Sequence, residues 1–199
     1  MKAVGIEKAR RRLKQAQACL SKLKRYESDL SDKAAFEDSW SEFLSALNSV
    51  PEILRTSSKG YPESRQWINS IHKNVLRKDP LLKFLIQARG ADYHGLQLRV
   101  NLGAKMTGKF SKPSIELISF TMKDSEGNQS VTKFSKDQLF EEAIMYYKFS
   151  EVEDHRGNVF AVPKTHLGKA LPEMGVIAAA KAAYNFYSNL LDEATRRTV

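Results

Sequence analysis

Asp79-Pro80-Leu81-Leu82-Lys83-Phe84-Leu85-Ile86-Gln87-Ala88-Arg89-Gly90-Ala91-Asp92-Tyr93-His94-Gly95 is a mostly apolar segment with a helix start signal at one end and a helix stop signal at the other. Asp79 is a good N-cap, Pro80 suits the first helical position, and Gly95 is a suitable stop. Most residues between these signals are apolar. The segment therefore predicts a capped helix that lies in a hydrophobic core.

Three more helices are predicted before this segment. Apolar residues recur at steps of three and four over residues 6–26 and again over residues 33–56. Pro62 then opens a third helix. Because the connections between these helices are short, the pattern favours antiparallel neighbours in a bundle over residues 1–95.

The pattern changes to β-structure after Gly95. Apolar and polar residues alternate from Leu96 to Leu102, which is a strand signature. Further strands are predicted over residues 115–122, 130–134, 143–152 and 159–162. Residues 135–142 are predicted to form one or two helical turns, and a helix over residues 138–148 is the alternative to the long strand, since Glu and Met favour helices.

An irregular link over residues 163–172 leads to a last helix over residues 173–197, where a run of alanines allows close helix contact. The predicted fold class is therefore α+β, mainly α: an antiparallel helical bundle of about five helices with a small antiparallel β annex inserted before the last helix. The prediction is a single domain over residues 1–199, with the bundle at 1–95, the annex at 96–163 and the last helix returning to the bundle.

Composition restricts the class of protein. No apolar run approaches the roughly 20 residues of a membrane span, and the first residues lack the apolar core of a secretory signal. Cys19 is the only cysteine, so no internal disulfide is expected. These features predict a cytoplasmic protein without a membrane partner.

The formal net charge of +9 is concentrated near the N-terminus. Residues 1–27 hold nine Lys or Arg residues against two Glu residues. A basic helix on a nearly neutral body predicts an anionic partner such as RNA, and the candidate RNA-binding residues are Arg10, Arg11, Arg12 and Lys14. The alternative is a solvated helix face that keeps the protein soluble.

Sequence motifs for metal ions, nucleotide cofactors and serine nucleophiles are missing. The four histidines are not at ligand spacing, no cysteine pair exists, and neither GxGxxG, GxxxxGK[ST] nor GxSxG occurs. The sequence therefore predicts no metal site and no cofactor.

One cluster can carry chemistry: Arg89, Asp92 and His94 crowd into the last turn and a half of the predicted core helix. Arg89 and His94 lie about 140° apart around a regular helix. They converge only if the helix loosens near Gly90 or if they meet across a subunit boundary. A histidine can move a proton at neutral pH, a guanidinium can hold a phosphate, and the 2′-hydroxyl of RNA supplies a nucleophile without a metal. In the structural alternative, Arg89 pairs with a carboxylate and His94 complements the helix dipole.

Arg89-x-x-x-x-His94, at the end of a bundle helix, resembles the R-x4–6-H motif of the HEPN superfamily. The resemblance implies a helical bundle with metal-independent ribonuclease activity in a toxin or defence system, commonly with two subunits building one cleft, here as a homodimer. It implies that Arg89 binds the scissile phosphate and that His94 acts in proton transfer or orientation. Gly90 stands where the family motif usually has a polar residue, which keeps a degenerate site as the alternative.

The opening segment and Thr165-His166-Leu167-Gly168 also resemble a group of uncharacterised bacterial proteins. His166 is a second candidate site residue because it lies in a predicted loop, although it also suits a linker role. Three functions remain open. They are an RNA-cleaving enzyme, a non-catalytic interaction or scaffold protein with a buried, carboxylate-paired Arg89, and a nucleic-acid-binding module built on the first helix.

Overall fold

The computed structural model of the chain describes residues 1–30, 32–93, 100–110, 117–123, 129–135, 138–154, 156–171 and 175–197. Within these ranges the α-helices are α1 (Ala3–Asp29), α2 (Lys33–Ser57), α3 (Pro62–Ile71), α4 (Pro80–Tyr93) and α5 (Val176–Arg196). A π-helical turn over His72–Leu76 follows α3. The predicted fold class, mainly helical with an antiparallel β part before the last helix, is confirmed. None of the helices in the described ranges combines the length and the apolar character that a membrane crossing requires.

The apolar stripes of α1 and α2 pack these two helices antiparallel against each other. Gly5 lies against Ser57 at one end of the pair, and Cys19 approaches Glu42 nearer the other end. The buried residues of α1 recur at steps of three and four, as the sequence predicts. They include Ile6, Ala9, Leu13, Ala16, Leu20 and Leu23.

Aspartate side chains cap the N-termini of α2 and α4. Asp32 accepts a hydrogen bond from the Ala35 amide at 2.9 Å, and Asp79 accepts one from the Leu82 amide at 2.9 Å. Each cap satisfies an amide that has no partner within its helix. The predicted cap at Asp79 is confirmed.

Aromatic side chains join the β-structure to the helical bundle. The ring of Tyr147 lies 4.0 Å from that of Phe36, and the ring of Phe149 lies 5.5 Å from Trp40 and 5.1 Å from Phe84. All five side chains are buried. Aromatic pairs of this kind contribute about 0.5–1.5 kcal/mol each beyond their buried area. Two positions on one strand therefore hold the annex on the bundle.

The strands in the described ranges form four antiparallel pairs. The pairs are β1 (Val100–Phe110) with β4 (Gln138–Phe149), β2 (Leu117–Lys123) with β3 (Gln129–Ser135), β5 (Val152–Glu153) with β6 (Val159–Phe160), and β7 (Thr165–His166) with β8 (Lys169–Ala170). Val100 lies opposite Phe149, and the register shifts between Thr107 and Gly108. The β2–β3 hairpin is therefore an insertion between two paired strands.

The strand β4 corrects the prediction for residues 135–142. Ser135 ends β3 and Gln138 begins β4, so the helical turns predicted there are wrong, and the helix alternative over residues 138–148 is wrong as well. The strand β1 supplies ladder partners for residues 138–149 except Glu141, which lies at the register shift. Tertiary pairing therefore outweighs the helix preference of Glu and Met.

The remaining strand predictions are confirmed with different ends. The strand predicted from Leu96 corresponds to β1, which continues to Phe110, and residues 96–99 lie outside the described ranges. The strand predicted over residues 143–152 is divided between β4 and β5. Pairing partners, which sequence alternation does not reveal, set these ends.

The irregular link predicted over residues 163–172 is wrong at its centre, where β7 and β8 form a hairpin. Leu167 and Gly168 turn the chain with φ values of 49° and 76°. A two-residue hairpin turn of type I′ needs positive φ at both positions, and Asn-Gly is the usual sequence. Leucine is unusual at the first position, so the turn was not visible in the sequence.

Small residues let α5 pack closely on α1, as the alanine run predicted. Ala179, Ala180, Ala183 and Ala194 are buried on α5. Among these small side chains lies the fully buried ring of Tyr187. The close contact places this ring deep inside the bundle.

Glu27 connects α1 to β4. The Tyr147 amide donates a hydrogen bond to Glu27 Oε1 at 3.3 Å, and burial raises the pKa of the Glu27 carboxyl group. The contact lies beside the buried Tyr147 ring and adds a polar link to the aromatic one.

We predict opposite stability effects for the same substitution at two helical glycines. A Cβ atom at Gly5 would overlap the Ser57 side chain, whereas no described atom lies within 4 Å of a Cβ atom at Gly90. Gly5→Ala should lower the free energy of unfolding by about 1–3 kcal/mol, because overpacking pushes α1 away from α2. Gly90→Ala should raise it by about 0.5–1 kcal/mol, because alanine restricts the unfolded chain. Urea denaturation measures both.

The double variant Gly5→Ala/Ser57→Gly is the control for this prediction. It removes the atoms that the new methyl group meets, so it should recover part of the stability lost in Gly5→Ala. A Gly5→Ala protein as stable as the parent would contradict the close approach of the two helices.

Candidate functional site

The predicted cluster at the end of α4 is described in part. The inward face of α4 is apolar, and Arg89 is exposed on the same helix. Asp92 lies in the last turn of α4, while its side chain and the whole of His94 lie outside what the structure describes. The pairing of Arg89 with His94 therefore stays a prediction. The residues of the inward face are Leu81, Leu82, Phe84, Leu85, Ala88 and Ala91.

The exposure of Arg89 distinguishes the scaffold interpretation of this residue from the interpretation in which it binds a phosphate. The scaffold interpretation requires a buried Arg89 that pairs with a carboxylate. Arg89 is exposed instead, and no ion pair joins it to a carboxylate among the described side chains. A guanidinium in this position can meet a ligand without first being released from a partner.

The basic residues of α1 form a cationic surface. Arg10, Arg11, Arg12 and Lys14 are all exposed, as are the other five Lys and Arg residues among residues 1–27. Two of the first four side chains make weak contacts on α1. Arg10 Nη1 lies 3.4 Å from Glu7 Oε1, and Arg12 Nη1 donates a hydrogen bond to Gln15 Oε1 at 3.0 Å. We call these nine exposed side chains the α1 cationic surface. They are Lys2, Lys8, Arg10, Arg11, Arg12, Lys14, Lys22, Lys24 and Arg25.

A groove of about 480 Å³ lies between α1 and α2, beside this surface. Its lining is mostly apolar and includes Val4, which is 59% exposed, and Ile53. Lys2, Lys8 and Arg12 also line it. Lys8 and Arg12 are four residues apart and so lie on one side of α1. Glu52 lines the groove as well. The groove thus combines a mostly apolar surface with three cations and one carboxylate, and we call it the α1–α2 groove.

A second pocket of about 320 Å³ lies at the end of α2, against α3. Its lining is polar and cationic, and it shares Thr56 with the α1–α2 groove. The carboxylate of Glu52 accepts a hydrogen bond from Arg55 at 2.7 Å and lies 3.9 Å from His72 Nε2. We call the second pocket the α2–α3 pocket. It is lined by Arg55, Thr56, Lys59, Arg65 and Asn69.

The Asp79 carboxylate holds the β7–β8 hairpin on the bundle. In addition to capping α4, its Oδ1 lies 3.0 Å from His166 Nδ1, and its Oδ2 accepts a hydrogen bond from the Leu167 amide at 2.6 Å. The side chains of Asp79 and His166 are only 4% and 11% exposed. A carboxylate in this position favours the imidazole tautomer with its proton on Nδ1, which leaves Nε2 as the basic nitrogen. In enzymes, a hydrogen bond to a carboxylate orients the imidazole of a general base in the same way. The Asp79–His166 contact also fixes the β7–β8 hairpin to the start of α4, and we call it a structural clamp.

A buried hydroxyl group lies near this clamp. Burial, together with the nearby Asp79 charge, raises the pKa of Tyr187 above its ordinary value. Its hydroxyl has no hydrogen-bond partner among the described residues. The ring of Phe186 meets the His166 ring edge-on at 6.2 Å. The surroundings are thus aromatic and largely buried, and they strengthen the Asp79–His166 interaction.

Sequence reasoning identified Asp79 and His166 separately but missed their contact. Asp79 was predicted as a helix cap, and His166 as a second candidate site residue. They are 87 residues apart, and no local pattern connects them.

The described residues hold no group of three or more His, Cys, Asp or Glu side chains that could bind a metal ion. Cys19 is buried, and burial and the nearby Glu42 charge raise the pKa of its thiol. A thiol with a raised pKa is a poor nucleophile. The chemistry of the described surface therefore lies in its cations and in the Asp79–His166 pair.

Comparisons with known proteins assign no family, since no protein-family model, curated protein or solved structure matches the chain.

We predict that Asp79→Ala destabilises the protein far more than Asp32→Ala does. Both substitutions remove an aspartate cap, but Asp79 is buried and also binds His166 and the Leu167 amide. Asp32→Ala should lower the free energy of unfolding by about 1 kcal/mol. Asp79→Ala should lower it by about 3 kcal/mol, since buried donors lose their acceptor. Chemical denaturation of both variants measures the difference. Equal effects would show that the hairpin contact adds no stability.

Proposed function

We propose that this protein binds RNA on the α1 cationic surface and the α1–α2 groove, and that it is a HEPN-like enzyme that cleaves the bound RNA without a metal ion. The observation that carries the proposal is the exposure of all nine Lys and Arg residues of residues 1–27. Three of these cations also line a groove with an apolar lining. A polyanion fits such a surface, because its binding releases counterions.

The form of the groove supports a single-stranded nucleic acid. Lys2, Lys8 and Arg12 can contact successive phosphates, while Val4 and Ile53 offer an apolar surface to sugars and bases. Phosphate contacts position the strand, and they carry no sequence information themselves. The proposed binding is therefore tolerant of sequence.

The proposed cleavage uses Arg89 and His94. In this step the RNA 2′-oxygen attacks the adjacent phosphorus, and the bond from phosphorus to the 5′-oxygen breaks. His94 accepts the 2′-hydroxyl proton, and Arg89 stabilises the charge that develops on the phosphate oxygens. The leaving 5′-oxygen takes up a proton from solvent water, so the products are a 2′,3′-cyclic phosphate and a 5′-hydroxyl end. The exposure of Arg89 favours this role over a buried structural one.

RNA binding should weaken when cations of the groove are removed. We predict that Lys8→Ala/Arg12→Ala weakens binding of a single-stranded RNA several-fold and lowers the slope of affinity against salt concentration by about 1–2. Fluorescence anisotropy at a series of salt concentrations measures both quantities. The control is Lys164→Ala/Lys181→Ala, which removes two exposed lysines outside the groove. Equal losses in the two variants would mean that only net charge matters and would overturn the assignment of the groove.

RNA cleavage should depend on both members of the Arg89–His94 pair. We predict that the purified protein cleaves RNA in the presence of a chelator and that His94→Ala and Arg89→Ala each reduce the rate by about 100-fold or more. Arg77→Ala is the matched control for Arg89→Ala, because it removes an exposed arginine that lines neither the groove nor the pocket, and it should keep the parent rate. A His94→Ala protein as active as the parent would remove the site assignment.

A further inference from the structure

We infer that the α2–α3 pocket binds the terminal phosphate of an RNA strand that lies in the α1–α2 groove. This inference rests on the proposed function, because it assigns the RNA end to a separate pocket next to the proposed binding groove. It concerns residues that the sequence did not single out. Arg55, Lys59 and Arg65 supply the charge.

The charge of the pocket matches a phosphate monoester. Glu52, which lines the groove and not the pocket, binds Arg55 at 2.7 Å. Among the described side chains, no ion pair joins Lys59 or Arg65 to a carboxylate, so these two cations supply the charge that a ligand can meet. A terminal phosphate carries about −1.5 to −2 charge near neutral pH, whereas each internal phosphate of the strand carries about −1. The pocket thus complements a strand end better than an internal linkage.

The neutral residues of the pocket are hydrogen-bonding groups. Thr56 has a hydroxyl group, and Asn69 has a side-chain amide. A terminal phosphate has three strong acceptor oxygens, and arginine forks bind such oxygens with two hydrogen bonds. The arrangement offers donors from α2, from the connection after it and from α3.

Helix dipoles do not account for this group of cations. Arg55 in the last turn of α2 complements the helix C-terminus, as cations commonly do. Arg65 lies near the N-terminus of α3, where the dipole disfavours a cation. The connection that brings Lys59 towards Arg65 is held by hydrogen bonds, including that from the Tyr61 amide to Ser58 O at 3.0 Å. A phosphate between Arg55, Lys59 and Arg65 would offset the repulsion among these cations.

The pocket and the groove are adjacent, because Thr56 lines both. In the proposed complex, a strand that ends in the pocket passes Thr56 and continues in the groove towards Lys8 and Arg12. The groove supplies contacts to internal phosphates, and the pocket supplies the site for the end. Binding of the strand in the groove and binding of its end in the pocket then strengthen each other.

The test compares RNA strands of one sequence that differ only in their ends. Fluorescence anisotropy measures the affinity of the parent protein for 2′-O-methylated strands, which lack the nucleophile for the proposed cleavage. The strands carry a 5′-phosphate, a 3′-phosphate or hydroxyl groups at both ends. We expect one phosphorylated end to bind about 10-fold more tightly than the unphosphorylated strand, as one or two charge-assisted hydrogen bonds would give. Inorganic phosphate, added as a competitor, should abolish this preference while leaving the unphosphorylated strand bound.

The variants Arg65→Ala and Arg65→Lys locate the effect. Arg65→Ala should abolish the preference for a phosphorylated end, and Arg65→Lys should restore part of it, since the charge returns without the fork. Arg77→Ala is the matched control, an exposed arginine that does not line the pocket, and it should keep the full preference. Circular dichroism of each variant verifies the helical fold.

The outcomes separate this inference from the proposed function. If all strands bind equally and Arg65→Ala changes nothing, the pocket assignment is overturned while RNA binding stands. If no strand binds to the parent protein, the proposed function fails, and this inference fails with it. If Arg77→Ala loses the preference as Arg65→Ala does, the effect comes from net charge, and the pocket assignment is again overturned.

Discussion

The antiparallel packing of α1 on α2 is the contact on which the candidate functional surface depends. Burial of the apolar stripe of α1 leaves its lysines and arginines with only one direction to face, which is solvent. The small Gly5 lets the end of α1 approach Ser57, and the α1–α2 groove forms beside that contact. The hydrophobic effect thus supplies the energy that gathers nine cations on one exposed surface, although like charges repel each other.

The residues that attach the β-structure differ from those that line the groove and the pocket. The annex is attached through Tyr147 and Phe149, which enter the core beside Phe36 and Trp40, and through the hydrogen bond from the Tyr147 amide to Glu27. The aromatic contacts are apolar and buried, whereas the cations of the groove and the pocket are exposed. Stability and anion binding therefore rely on different residues, so cations of the groove can be substituted without disturbing the core.

The helical part of the fold was predictable because its signals are local. Apolar spacing marked α1 and α2, and Asp79 with Pro80 marked the start of α4. Signals that depend on a distant partner were readable only in part. The strand over residues 143–152 was predicted, whereas residues 135–142 were predicted as helical turns, and residues 138–142 belong to a strand because β1 pairs with β4. The same limit applies to the site. The basic character of α1 was evident, but the pocket at Arg55 and Arg65 requires the arrangement of two helices, and the Asp79–His166 contact joins residues 87 positions apart.

The Asp79 carboxylate makes the start of α4 and the β7–β8 hairpin a single cooperative unit. One side chain caps the helix and also binds His166 and the Leu167 amide, so the hairpin cannot lift away without leaving a buried charge beside the helix start. The amides of Leu82 and Leu167 are therefore expected to exchange with solvent in the same opening event. The helix α4 also carries Arg89. A ligand or partner that displaces this exposed hairpin would therefore disturb, through the Asp79 carboxylate, the start of the helix that carries the candidate cleavage site.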